Sequence, residues 1–168
     1  TDGDTSQTLA YAIVSGNANN AFAVDSETGE ITVNNSAALD FEVNPTFTLT
    51  IEVNDSNGGT DSDTVQIALN NVNDAPVITS NGGGATANIN VAENQTAVTT
   101  VTATDADGET PTFTLISGAD QALFDIDTNT GVLTFKTAPD FENPTDNNLD
   151  GTYEVVVLAS DGIGGTGQ

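Results

Sequence analysis

Two stretches of this chain carry nearly the same wording. SGNANNAFAVDSETGEITV (15–33) aligns with SGADQALFDIDTNTGVLTF (117–135) at a constant offset of 102. The match continues, since LDFEVNP (39–45) pairs with PDFENP (139–144) and FTLTIEVNDSNGGT (47–60) with YEVVVLASDGIGGT (153–166). The second copy carries a longer loop, TDNNLDG (145–151), and near the start TDGD (1–4) matches TDAD (104–107) across a one-residue gap. Self-similarity at a fixed period is the mark of a repeat architecture, so whatever fold the chain adopts must occur twice within 168 residues.

The local pattern of each copy is that of strands. FTLTIEV (47–53), TVQIAL (64–69), TVTAT (100–104), TFTLIS (112–117), VLTF (132–135) and YEVVVLA (153–159) set β-branched or aromatic residues on alternate positions, with Gly, Asn and Asp between the runs. No segment of ten or more residues has an amphipathic helical face. The expectation is an all-β chain. Its two parts are 1–75 and 76–168, divided at NNVNDAP (70–76), where strand-like sequence breaks for a polar knot closed by Pro76.

Charge excludes whole classes of partner. Asp and Glu total 25 against the single basic residue Lys136, a formal charge of −24. Such a chain cannot neutralise phosphate backbones, so no nucleic-acid partner is expected, and an anionic membrane surface repels it. No apolar run is long enough for direct membrane insertion, and no signal peptide opens the chain. With neither Cys nor His, a disulfide framework, a cysteine-rich zinc site and an imidazole base are all ruled out. The donors that remain are carboxylates, Asn side chains and backbone carbonyls, which suit a hard cation such as Ca²⁺. Catalysis is not expected either. Carboxylate pairs such as Asp40 and Glu42 are present, but there is no Trp to stack on a sugar and no nucleophile with a base.

On these grounds alone the knot at 70–76 is either a turn, with Asn and Asp bonding their own backbone, or a metal site. A set of ordered elements bears on the choice: Glu-Asn in VAENQTAV (91–98), Asp-x-Asp in TATDADG (102–108), FDIDTNTG (124–131), LDFE (39–42), a late Asp in VNDSNGG and ASDGIGG, and NVNDAP (71–76). Together they resemble the cadherin repeat, in the version common in large bacterial surface proteins and adhesins. The resemblance implies a Greek-key, immunoglobulin-like β-sandwich of seven strands per repeat, tandem repeats, and Ca²⁺ at each junction. Against that pattern the first copy supplies strands C to G and the second strands A to F. The remaining strands are then expected from adjoining repeats or neighbouring copies of the chain.

The same resemblance implies a ligand set. Asp40 and Glu42 come from the first copy, Asn71, Asn73 and Asp74 from the linker with the carbonyls of Val72 and Ala75, and Asp105, Asp107 and Asp161 from the second copy. Asn71 stands where the family usually has Asp, and Ala75 where it has Asn. Asp2, Asp4 and Asp55 would face a preceding junction, and Glu93, Asp140 and Glu142 a following one. Like charges repel by about 4 kcal/mol per pair at 4 Å in an effective dielectric of 20, so such a junction needs the cation. The implied role is a calcium-stiffened structural or adhesive spacer, extracellular or on a cell surface. The alternative is a binding module for a polysaccharide, another cell surface or a second copy of itself. Asp25 and Asp127, before the T-G turns, read as hairpin residues. DNNLDG (146–151) begins like an EF-hand loop but has Val157 where the twelfth-position Glu belongs.

Overall fold

A computed structural model of the chain describes residues 8–168; Asp2 and Asp4 lie outside the described residues. It is built of β-strands and short 3-10 turns, with no α-helix among the described residues. The chain divides into two compact units, Thr1–Val72 and Asn73–Gln168. The sequence expectation placed the division after Ala75. Asn73 and Asp74 instead group with the second unit, where they hydrogen-bond Asp161 and Asp107.

In the first unit the strands are β1 (Ala10–Ser15), β2 (Phe22–Val24), β3 (Ile31–Val33), β4 (Thr46–Asn54) and β5 (Thr60–Ala68). They form an antiparallel sheet of order β1-β4-β5 and a β2-β3 hairpin. The alternation of TFTLTIEVN explains β4: Phe47 and Leu49 are buried while Thr46 and Thr48 face solvent. Phe22 of the hairpin meets Phe47 edge-on at 5.1 Å, and with Ala21 and Leu49 these residues form the buried core. β5 pairs with β4 from Thr46↔Ala68 to Asn54↔Thr60, yet of its residues only Ile67 is even half-buried.

The second unit repeats this plan with more strands. β6 (Val77–Ile78), β7 (Ala97–Thr100), β8 (Ala103–Thr104), β9 (Thr112–Ser117), β10 (Phe124–Ile126), β11 (Val132–Phe135), β12 (Val156–Ser160) and β13 (Thr166–Gly167) are arranged as sheets β10-β11-β7, β13-β12-β9 and β6-β8, all antiparallel. One core cluster holds Val101, Phe113 and Ala159, and the other Phe124, Leu133 and Phe135 with Tyr153 edge-on to Phe135 at 5.0 Å.

Three sequence expectations change here. The second copy was expected to end with its sixth strand, but β13 pairs with β12 through Ala159↔Gly167 and Ser160↔Thr166, so a further strand has begun. TVTAT is two segments, β7 and β8, interrupted at Val101 and Thr102, whose amides bond Gly131 O and Ser80 Oγ. YEVVVLA is a strand only from Val156, because the Glu154 amide is taken by the Asp120 carboxylate at 2.8 Å instead of a ladder partner.

Candidate metal centre

The centre of interest lies at the end of the second unit where the linker enters. Asp161 closes the turn between β12 and β13: its Oδ1 accepts from the amides of Ile163, Gly164 and Gly165 at 2.8, 3.1 and 3.0 Å. Its Oδ2 accepts from Asn73 Nδ2 at 2.7 Å, and this bond is the largest of the causes that hold the carboxyl below its ordinary pKa. Gly165 lets the linker come this close. A Cβ there would strike Asp161 Oδ2 and the backbone of Asp74 and Ala75.

A second loop grips the same linker. Between β8 and β9 runs DADGE (105–109), whose Asp107 Oδ2 accepts the Asp74 amide at 2.7 Å and whose Asp105 Oδ1 accepts the Asp107 amide at 2.9 Å. One carboxylate oxygen from each of Asp105, Asp107 and Glu109 lies within 4.8 Å of the others, all three side chains being partly buried. At that spacing each ionised pair repels by at least about 3.5 kcal/mol in an effective dielectric of 20. Two oxygens, Asp105 Oδ2 and Glu109 Oε2, are shielded from solvent without a hydrogen-bond partner. Shielded oxygens without a donor call for an explanation, and a hard cation with an all-oxygen shell fits this donor set.

The other predicted ligands fall as follows. In the first unit Asp40 Oδ1 accepts the Val43 amide at 2.9 Å, Glu42 and Asn71 are exposed, and Val72 is 77% exposed with its carbonyl in the connecting segment. Ala75 is exposed beside buried Pro76 in the second unit. Asp55 copies the Asp161 turn, accepting the amides of Asn57 and Gly59 at 2.8 and 2.9 Å. Glu93, Asp140 and Glu142 come together in the second unit with oxygens within 4.8 Å, all exposed. Here Glu93 Oε2 accepts the Phe141 amide at 3.1 Å, while Asp140 Oδ1 accepts the Glu142 amide at 3.0 Å.

Two residues with structural consequence escaped the sequence reading. Glu109 was given no part, although acids at every second position from 105 to 109 were visible. Asp120 was also passed over. It is 3% exposed and accepts the amides of Asn147 and Glu154 at 2.6 and 2.8 Å, tying the 145–151 loop to the start of β12. Within that EF-hand-like loop Asp146, 2% exposed, accepts the Asp150 and Gly151 amides at 2.9 and 3.1 Å. Its oxygens therefore serve the loop's own backbone.

Comparison with known proteins bears on the whole chain. The family described as "Cadherin domain" matches residues 1–70 and 87–168. The human protein "Cadherin EGF LAG seven-pass G-type receptor 2" is 32% identical over 168 residues, covering 95% of this chain and 5% of that protein. The Drosophila melanogaster "Fat-like cadherin-related tumor suppressor homolog" is 34% identical over 160 residues, covering 92% of this chain and 3% of its own length. The chain thus spans a small fraction of these relatives. Among solved structures, mouse "Cadherin-23 EC22-24" superposes with a TM-score of 0.59 at 26% identity, over 95% of this chain and 50% of that one. Human "Protocadherin-24 EC1-2" gives 0.61 at 25%, over 96% and 73%.

Proposed function

The chain belongs to the cadherin domain family, and from that premise we propose that it is a calcium-stiffened spacer of a cell-surface or secreted adhesive protein. Cadherin domains are adhesion-type structural modules and not enzymes, which fits a sequence without His, Cys or Trp. The observation that carries the calcium reading is the pair of shielded oxygens without a donor, Asp105 Oδ2 and Glu109 Oε2, in the loop whose Asp107 holds the Asp74 amide of the linker at 2.7 Å. A cation among the carboxylates of this loop would draw them onto the linker and hold its direction. Asp40, Glu42, Asn71 and the Val72 carbonyl join the proposed set on the sequence pattern. Glu93, Asp140 and Glu142 form a second, exposed group that a further repeat would complete. The bacterial surface setting rests on the resemblance of the repeat alone.

Ca²⁺ binds only the folded, assembled site, so by linkage it must raise stability. At a hundred times its dissociation constant one ion contributes about 2.7 kcal/mol, on the order of 10–20 °C in the melting midpoint for a unit of this size. A thermal melt with millimolar Ca²⁺ against chelator should show that rise, and Asp107→Asn should remove most of it. Equal melts in Ca²⁺ and chelator would sink the reading. Homophilic adhesion fits the same family, and sedimentation of the chain in Ca²⁺ would reveal it as self-association.

A further inference from the structure

We infer that Glu109 is a third carboxylate ligand beside Asp105 and Asp107, so that the loop joining β8 to β9 forms a cation site from the second unit's own residues. The inference rests on the calcium reading above and extends it, because the family pattern draws on Asp105 and Asp107 in this loop and assigns Glu109 no part.

Two independent observations meet at Glu109. One is position: it brings an oxygen within 4.8 Å of oxygens from Asp105 and Asp107. The other is that Glu109 Oε2, like Asp105 Oδ2, is shielded from solvent and has no hydrogen-bond partner. A shielded carboxylate oxygen with no donor beside two further acids is stabilised by a cation and by little else this chain can supply, since its one basic residue, Lys136, bonds Ala122 O at 2.8 Å. The loop is also held at both ends. Val101 and Phe113, which flank it, belong to one buried cluster, and Pro111 is buried. Gly108, at φ +89°, provides the bend between Asp107 and Glu109. So the backbone that carries the three carboxylates is held on both sides. Aligned through TDGD (1–4) and TDAD (104–107), the first copy has Ser6 in place of Glu109, which makes the third charge a property of the second copy.

The test is a calorimetric Ca²⁺ titration of the full chain, of Glu109→Gln, and of Asp125→Asn. Asp125→Asn removes one charge at an exposed site on β10. Glu109→Gln should weaken the tightest Ca²⁺ class by on the order of ten-fold, ligand charge being what tunes such sites; Asp125→Asn should change it by less than about two-fold. Wild-type affinity in Glu109→Gln would overturn the inference and leave the calcium reading standing. No Ca²⁺ uptake by the wild type would overturn both. If Glu109→Gln melts early in chelator, Glu109→Asp replaces it, with weakened binding in support and unchanged binding against.

Discussion

At the scale of single residues, the chain uses carboxylates chiefly as acceptors for its own backbone. Asp25 and Asp127 show it in each copy: Oδ1 of each accepts the amide and the hydroxyl of the Thr three residues on, at 2.8 and 2.9 Å in the first copy and 2.8 and 2.8 Å in the second. Hydrogen bonds to the ionised form lower the pKa of both, the Thr amide being the main cause. The sign follows from linkage. A folded-state pKa below the unfolded value contributes stability above the ordinary carboxylate range near 4, and this is lost as pH falls through the folded value. Acid also relieves the chain's self-repulsion, so the local effect needs a comparison. In chelator, below about pH 4, the melting midpoint of the wild type should fall relative to that of Asp127→Asn. Parallel curves would show that the turn amides do not favour the charged carboxylate. The hairpin role of these two residues was legible in the sequence, since a D-x-x-T-G turn needs only local contacts. That of Asp120 was not. Its partners, Asn147 and Glu154, are remote in sequence, and its equivalent at offset 102 is Ala18, in the copy that lacks the long loop.

At the scale of elements, the turn between β12 and β13 decides how the linker lies on the second unit. Gly165 is buried with Asp161 Oδ2, Asp74 O and the Ala75 Cα where a side chain would go. Gly165→Ala should therefore displace the linker or the turn, with a loss of about 1–3 kcal/mol, the usual cost of overpacking. Thermal melts in chelator measure this, and Ca²⁺ affinity should fall in parallel. A variant that melts and binds as the wild type would show that the linker does not rest on this turn. The sequence marked the SDGIGG turn and the strands beside it by alternation and glycine. It placed the start of β12 too early, because alternation continues through Tyr153 and Val155, which pack against the core, while the neighbouring Glu154 amide bonds Asp120. Side-chain burial and ladder pairing part company there.

At the scale of the whole chain, a formal charge of −24 with one Lys means that nearly every charge repels every other. Lys136 approaches Asp125 at 3.8 Å with both side chains largely exposed, a surface pair worth about 1 kcal/mol at most. Added monovalent salt should thus raise the chelator-treated melting midpoint by screening. A midpoint that falls with salt in chelator would mean that specific ion pairs, not net repulsion, set the balance. The two units also differ in sheet pairing among the described residues. β11 lies between β10 and β7, whereas its counterpart β3 has β2 as its partner. Val33 on β3 is accordingly 53% exposed and its equivalent Phe135 7%.

What the sequence determined by itself was the repeat, the all-β class, the turn residues and the chemistry of the donors, because periodicity, local turn bonding and side-chain type do not depend on distant partners. Tertiary structure alone decided which carboxylate oxygens remain without donors. Asp105, Glu109, Asp120 and Asp146 are all acids in polar segments, yet both oxygens of Asp120 and of Asp146 accept backbone amides, whereas Asp105 Oδ2 and Glu109 Oε2 are shielded and accept none. That difference depends on which loops the core brings together, and packing between residues far apart in the chain sets it.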